Sequence, residues 1–286
     1  MTSISLSVVI PAKNESAGLS ALLPALRSAY PDAELIVVSD GSTDDTVAVA
    51  EAAGARVLRH PYSKGNGAAI KTGARAATGD AILFMDGDGQ HRVEDMGALL
   101  ARFEEGYDLV VGARQGLGDQ ASVARWGANT VYNLFASWMV GHRIDDLTSG
   151  MRIVNREKFL SFLYLLPNGF SYPTTSTMAF YRAGYSVAFV PISTRERVGE
   201  SHINVWRDGI RFLLIIFKIG TLYSPLKLFL PVAMAIFLAG LGYYGYTLAS
   251  FGRFTNMSLL LFVSSVIVFL IGLISEQISN LMYRQE

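Results

Sequence analysis

Cysteine is absent from the 286 residues. Disulfides, thiolate metal sites and cysteine nucleophiles are therefore excluded. Net charge is missing as well, because 24 Lys+Arg balance 24 Asp+Glu. The balance is uneven along the chain: residues 1–200 carry 18 basic and 21 acidic side chains, and residues 201–286 carry 6 and 3. An apolar, slightly basic tail suits a bilayer with anionic head groups better than a nucleic acid, so no nucleic-acid partner is expected. Met1-Thr2-Ser3-Ile4 lacks a basic segment followed by a long apolar core, and no signal peptide is expected. The sequence also shows no internal repeat and no low-complexity segment.

Charge vanishes entirely in two stretches, between Lys227 and Arg253 and again between Arg253 and Glu276. Each exceeds the roughly 20 residues that cross a bilayer core of about 30 Å. Only the link around Gly252 to Asn256 separates them, so they read as a transmembrane hairpin with both ends on one side. Arg211, Lys218 and Lys227 precede it and Arg284 follows, while Arg253 alone lies at the tip. The positive-inside rule then puts the large N-terminal part in the cytoplasm, at the inner membrane. Just ahead, Arg207, Asp208, Arg211 and Lys218 interrupt the otherwise apolar run Val205 to Ile219, as in a helix lying in the interfacial plane. The expected organisation is a soluble domain over 1–202, interfacial amphipathic helices over 203–226 and a hairpin over 227–286. Lone hairpins often pack against copies of themselves, so a homo-oligomer is a possible partner state.

What is present in the first 115 residues is alternation. Apolar strands are expected at Leu6–Ile10 (stopped by Pro11), Leu35–Val38, Ala55–Leu58, Ala81–Met85 and Leu109–Val111. Helices are expected at Ser16–Ala29, after Ser42 or Thr43 as cap with Asp44 and Asp45 in the first turn, at Gly65–Ala77 and at Glu94–Phe103. Short buried strands alternating with helices make an α/β fold, a mostly parallel sheet with helices on both faces. Such sheets bind ligands beyond the strand carboxyl ends. Pro11-Ala12-Lys13-Asn14-Glu15, Ser39-Asp40-Gly41, Lys64-Gly65-Asn66-Gly67 and Asp86-Gly87-Asp88 all fall after strands or at helix starts, so they share one rim.

The most informative stretch is Met85-Asp86-Gly87-Asp88-Gly89-Gln90-His91. Strand alternation would send Asp86 and Asp88 to opposite faces, but the glycine between them lets the backbone leave strand geometry. The two carboxylates can then converge on one hard cation, which takes oxygen ligands and keeps positions open for substrate phosphates. Lys64-Gly65-Asn66-Gly67 opens a helix whose free N–H groups, with the lysine, are expected to hold a diphosphate or a uracil-like edge.

Val8-Val9-Ile10-Pro11-Ala12-Lys13-Asn14-Glu15, Val37-Val38-Ser39-Asp40-Gly41-Ser42-Thr43-Asp44 and the Asp86 stretch resemble the signatures of family 2 glycosyltransferases with the GT-A (Rossmann-like) fold. Asp146-Leu147-Thr148-Ser149-Gly150-Met151-Arg152 and Arg195-Glu196-Arg197-Val198-Gly199-Glu200-Ser201-His202 resemble the dolichyl-phosphate mannose synthase branch, which includes bacterial polyprenyl-phosphate glycosyltransferases. The resemblance covers residues 4–225 and implies a metal-dependent, inverting transfer of one sugar. The donor would be a GDP- or UDP-linked nucleoside-diphosphate sugar, and the acceptor an undecaprenyl or dolichyl phosphate in the lipid bilayer.

By that resemblance Pro11, Ala12, Asn14 and Glu15 line the nucleoside pocket and Asp40 contacts the base or ribose. Many relatives carry two aspartates at this turn, where this chain has Ser39 and Asp40. Asp86, Gly87 and Asp88, with Lys64 and Gly65, are expected at the diphosphate. Asp86, Asp88 and Gln90 are expected to hold Mg2+ or Mn2+, with His91 behind them or at the surface. Arg114 and Arg125 match arginines that bind the lipid phosphate, and Asn129 stands where relatives can have a serine. Arg195 and Arg197 are expected to reach donor or acceptor phosphates, for which a planar guanidinium is suited. Asp146 is expected to position rather than to act as base. Trp126, Trp138 and Trp206 could serve the lipid path or the core. Two other readings compete: a processive polysaccharide synthase, against which one hairpin is too little and Ser122 breaks the Q-x-x-R-W signature before Arg125-Trp126, and a non-catalytic nucleotide-sugar-binding scaffold, against which the carboxylate pair is intact.

Overall fold

The computed structural model describes residues 4–114, 123–169, 172–193, 217 and 220–282, with backbone alone at 123–126 and 128. Arg195, Arg197, Trp206 and the amphipathic stretch 205–219, apart from Phe217, lie outside the described residues, as do the side chains of Arg125 and Trp126. Two units, 1–201 and 202–286, are each compact.

In the first unit β1 (Leu6–Ala12), β2 (Glu34–Asp40), β3 (Arg56–His60), β4 (Ala81–Phe84), β5 (Leu109–Arg114), β6 (Arg152–Asn155) and β7 (Val187–Ile192) form one sheet in the order β3-β2-β1-β4-β6-β5-β7. All neighbours are parallel except β6, which runs antiparallel between β4 and β5. Connecting helices are α1 (Ser16–Ala29), α2 (Thr46–Ala52), α3 (Asn66–Ala76), α4 (Met96–Glu104, entered through a 3-10 turn), α5 (Val123–Val140), α6 (Arg156–Ser161) and α7 (Tyr172–Arg182).

The elements follow from their apolar spacing. Leu19, Leu22, Leu23 and Leu26 of α1 recur at helical intervals and are buried with Val8, Ile10, Leu35 and Val37 of the sheet. Strands buried on both faces read as continuous apolar runs, as Ala81 to Phe84 does. Pro11 does not stop β1, contrary to expectation; it pairs in register with Val38. It has the parity of Val9, whose carbonyl accepts from the Met85 N–H, so its missing donor faces the side where β4 has already ended. The α2 cap also differs: the helix starts at Thr46, and Asp44 Oδ1 accepts from the Thr46 N–H at 3.0 Å.

Strand order reverses between β1 and β4. β1 leads outward to β2 and β3, and α3 returns the chain to the other side. At such a switch point the outgoing loops part and leave a crevice beyond the strand carboxyl ends.

The second unit contains α8 (Pro225–Phe251) and α9 (Asn256–Met282), each 27 residues with mean hydropathy of 1.8 and 2.8 over their most apolar windows. At about 1.5 Å per residue each reaches about 40 Å, more than a bilayer core. Small residues at seven-residue spacing make the seam: Ala233, Gly240 and Thr247 on α8, and Ser258, Ser265, Gly272 and Ser279 on α9, are buried. Leucine, isoleucine, valine and phenylalanine face outward. Glu276, the one acidic residue of α9, is placed by capping: its carboxylate accepts from the Leu226 N–H at 3.2 Å, at the positive start of α8.

Candidate active site

A cleft of about 250 Å³ opens at the switch point. The end of β1 supplies Pro11, Ala12, Lys13 and Glu15, and β2 supplies Asp40. Ser63, Gly65 and Asn66 come from the β3–α3 loop, and Asp86, Gly87 and Asp88 from the turn after β4. The structure thus brings together most of the rim residues expected from sequence, and adds Ser63.

The acidic turn is held from behind. The Asp86 N–H donates to His91 Nδ1 at 3.1 Å, and the Gln90 N–H donates to Asp88 Oδ1 at 3.1 Å. His91 is buried, and its accepting Nδ1 leaves Nε2 to carry the proton. Among the described residues no hydrogen bond reaches either oxygen of Asp86, whose carboxyl is pushed up above all by its burial. No group of three or more His, Asp or Glu side chains gathers at a metal-binding spacing among the described residues. Two carboxylates in one cleft, one of them lacking any donor, fit a small hard cation whose remaining ligands are water and substrate oxygens.

The next layer is built on Asp146. Arg114, the last residue of β5, donates from Nε to Asp146 Oδ2 at 2.7 Å and from Nη2 to Asp146 Oδ1 at 3.0 Å. The Thr148 and Ser149 N–H groups donate to the same Asp146 Oδ1 at 3.0 and 3.1 Å. Burial would raise this carboxyl, but the hydrogen bonds and charge of Arg114 outweigh it and hold it below the usual range. Asp146 therefore organises the turn 146–150, and half of the Arg114 fork is committed to it. Behind the turn Arg152 is fully buried, donating from Nη1 to the Pro173 carbonyl at 2.7 Å and Ser176 Oγ at 2.8 Å, and from Nη2 to the Ser149 carbonyl.

This turn presses Gly150 onto the acidic pair. A Cβ at Gly150 would lie 2.4 Å from Asp86 Oδ2 and 3.0 Å from its Cγ. Gly150→Ala is expected to push the Asp86 carboxylate out of the cleft and cut Mn2+-dependent donor turnover by on the order of 100-fold, the cost of a misplacement near 1 Å. Turnover and thermal melting together check it; a folded variant with wild-type turnover would show that this position of the carboxylate is not used.

The other expected residues are placed as follows. Two of the N–H groups that start α3 have protein acceptors: Gly67 donates to the Gly169 carbonyl at 3.3 Å and Ala68 to the Asn168 carbonyl at 2.9 Å. The loop that follows α6 covers the Gly65 and Gly67 side of this helix end, while Asn66 stays on the cleft wall. Lys64 projects outside the cleft, 5.7 Å from the Tyr62 ring, while its N–H and that of Gly65 turn to Asp40. Asp40 is on the cleft wall, and its carboxylate accepts from four protein donors and anchors a loop. Asn14 is not on the cleft wall; at φ +56° it ties two loops, its Oδ1 accepting from the Thr43 N–H at 2.8 Å. Gln90 and Arg114 are likewise outside the cleft wall. Asn129 is buried on α5.

A mostly parallel sheet with an acidic pair at its switch point is a GT-A-like fold. The profile described as glycosyl transferase family 2 matches residues 7–162, more than half of the chain, and the chain belongs to that family of glycosyltransferases. A second profile, the GtrB C-terminal hairpin, matches residues 224–281. Glycosyltransferase AglJ of Haloferax volcanii is 30% identical over 82% of this chain and 78% of its own length. The undecaprenyl-phosphate mannosyltransferase of Micrococcus luteus is 28% identical over 71% of this chain and 93% of its own. Among solved structures, glucosyl-3-phosphoglycerate synthase from Mycobacterium tuberculosis, in complex with Mn2+ and UDP-glucose, aligns over 76% of this chain and 78% of its own at 25% identity with a TM-score of 0.59.

Proposed function

We propose that this glycosyltransferase moves one sugar from a nucleoside-diphosphate donor to the phosphate of a polyprenyl phosphate at the cytoplasmic face of the membrane. The observation that carries the reading is the Asp86–Asp88 pair in the switch-point cleft of a chain that also holds a bilayer-length hairpin. Names of relatives support the acceptor class: a dolichyl-phosphate hexose transferase of Haloferax volcanii is 29% identical over 71% of this chain.

A bound Mg2+ or Mn2+ supplies charge for the departing nucleoside diphosphate. Asp86 and Asp88 would hold it, with Gln90 beside them. Pro11, Ala12 and Glu15 form the nucleoside wall, and Lys13 adds a cation at the phosphate end. The acceptor phosphate has a second pKa near 6, by analogy with phosphate monoesters, and is largely dianionic at pH 7. One of its oxygens forms the bond to the anomeric carbon as the bond to the donor diphosphate breaks, inverting the centre to a β-linked product. No protein base is required, which agrees with an Asp146 carboxylate wholly engaged in holding Arg114 and its turn. Arg114, Arg125, Arg195 and Arg197 provide the cations for the lipid phosphate. The outer face of α5 exposes Val131, Leu134 and Trp138 at helical spacing, a hydrocarbon surface suited to lipid.

The test is incubation with a panel of UDP- and GDP-sugars, undecaprenyl phosphate and Mg2+ or Mn2+. A single labelled sugar in the lipid extract is expected. Label in a long water-soluble polymer would favour a synthase, and absence of donor binding would leave a scaffold.

A further inference from the structure

The Asp40 carboxylate ends β2 in direct register with His60, the last residue of β3. Its Oδ1 accepts from His60 Nδ1 at 2.7 Å and the Lys64 N–H at 2.8 Å; its Oδ2 accepts from Ser63 Oγ and the Gly65 N–H, both at 2.8 Å. Three of these donors belong to the strap Ser63–Gly65, two residues of which, Ser63 and Gly65, form part of the cleft wall. The fourth reaches further: His60 Nε2 meets Thr72 Oγ1 on α3 at 2.9 Å. Side chains of Asp40 and His60 are each about 6% exposed, so this chain runs through the interior beside the cleft. The strap also sits tightly on the β2 turn, since a Cβ on Gly41, at φ +70°, would lie 2.6 Å from the Ser63 nitrogen.

We infer that His60 and Thr72 are positioning residues for the donor: the line Thr72–His60–Asp40 sets the strap Ser63–Gly65 at the height at which it walls the nucleotide. The inference rests on the reading of the cleft as the donor site. The imidazole acts as a spacer of fixed length between α3 and the carboxylate, and its Nδ1–H holds Oδ1 in the plane that meets the Lys64 N–H. The Thr72 hydroxyl donates to a neutral ring and accepts from a charged one, so the line holds in either state. Burial would raise the Asp40 carboxyl, but its donors bring it down to about 2, and it remains an acceptor throughout the neutral range. Without the ring, Asp40 loses one donor and is free to turn, and the strap loses its common anchor.

Binding of UDP and of GDP, each with Mn2+, is measured by calorimetry on the full chain in detergent, alongside donor kinetics and thermal melting. His60→Ala is expected to weaken the bound nucleotide about tenfold and to raise the donor KM in step, with kcat changed less than about threefold. Thr72→Val, which removes only a hydroxyl from the line, is expected to weaken it about fivefold, the order of one lost buried hydrogen bond. Thr72→Ser is expected to recover most of the affinity, whereas His60→Asn, whose amide donor takes the place of Nδ1–H but cannot reach Thr72, is expected to recover only the part carried by Asp40 and so to match Thr72→Val. If His60→Ala does not fold, Thr72→Val against Thr72→Ser decides. A lower melting temperature with unchanged nucleotide affinity and KM in Thr72→Val would overturn the inference while leaving the proposed function intact. A wild-type protein that binds neither nucleotide would overturn both.

Discussion

Asp86→Asn is expected to lose 100- to 1000-fold in metal-dependent donor turnover, the usual effect of removing one well-placed electrostatic stabiliser. The amide keeps the shape of the carboxyl but not its charge, so the cation site is lost and the fold is not. Stability should move the other way. A carboxyl whose folded pKa is raised destabilises the native state at pH values above its unfolded pKa, near 3.9. In metal-free protein at pH 7 the variant should therefore melt at or above the wild-type temperature. As pH falls toward the unfolded value the wild type recovers this difference, and the two curves converge. Activity with Mn2+ and melting between pH 7 and pH 4 check both halves. Retained turnover would remove the metal assignment.

Arg152→Met is expected to destabilise the first unit by on the order of 2–3 kcal/mol, seen as a melting point lower by about 5–10 °C. Methionine fills much of the volume but donates no hydrogen bond. The Pro173 carbonyl keeps donors from Ser176 and Thr177, at 3.0 and 2.9 Å, whereas the Ser149 carbonyl loses the Arg152 Nη2 donor. Asp86 and Asp146 also lose part of their buried counter-charge. The damage reaches the site, because Ser149 precedes the glycine against which the Asp86 carboxylate rests. Arg152→Lys restores the charge without the fork and should recover only part of the loss. A melting curve of Arg152→Met equal to wild type would show that the buried guanidinium is not needed to hold the turn.

These two residues differ in how far the chain announces them. Asp86 and Asp88 are visible because a glycine between two acids after a four-residue apolar strand is a local pattern. Arg152 and Gly150 sit in a stretch that marks the branch of the family, but nothing local shows that the arginine is buried or that the glycine touches a carboxylate. β6 is not legible in the sequence for a similar reason: Arg152–Asn155 is too short to declare itself, and its antiparallel place between β4 and β5 is a matter of long-range pairing. His60 likewise ends a strand with an unremarkable composition; only the parallel register with β2 sets it opposite Asp40.

Sequence alone determined the alternation that makes a parallel α/β sheet, the acidic pair at its rim, the absence of thiol chemistry and the two uncharged spans of the tail. Each depends on neighbours within a few residues, through strand and helix periodicity and the length needed to cross a bilayer. Tertiary structure decided which polar groups remain open to a ligand. The Asp40 carboxylate, Asn14 Oδ1 and the Gly67 and Ala68 N–H groups look available on paper, and each finds partners between 20 and 102 residues away. A buried donor or acceptor is paired wherever the fold can reach it, and that reach is set by strand order and loop approach rather than by local composition.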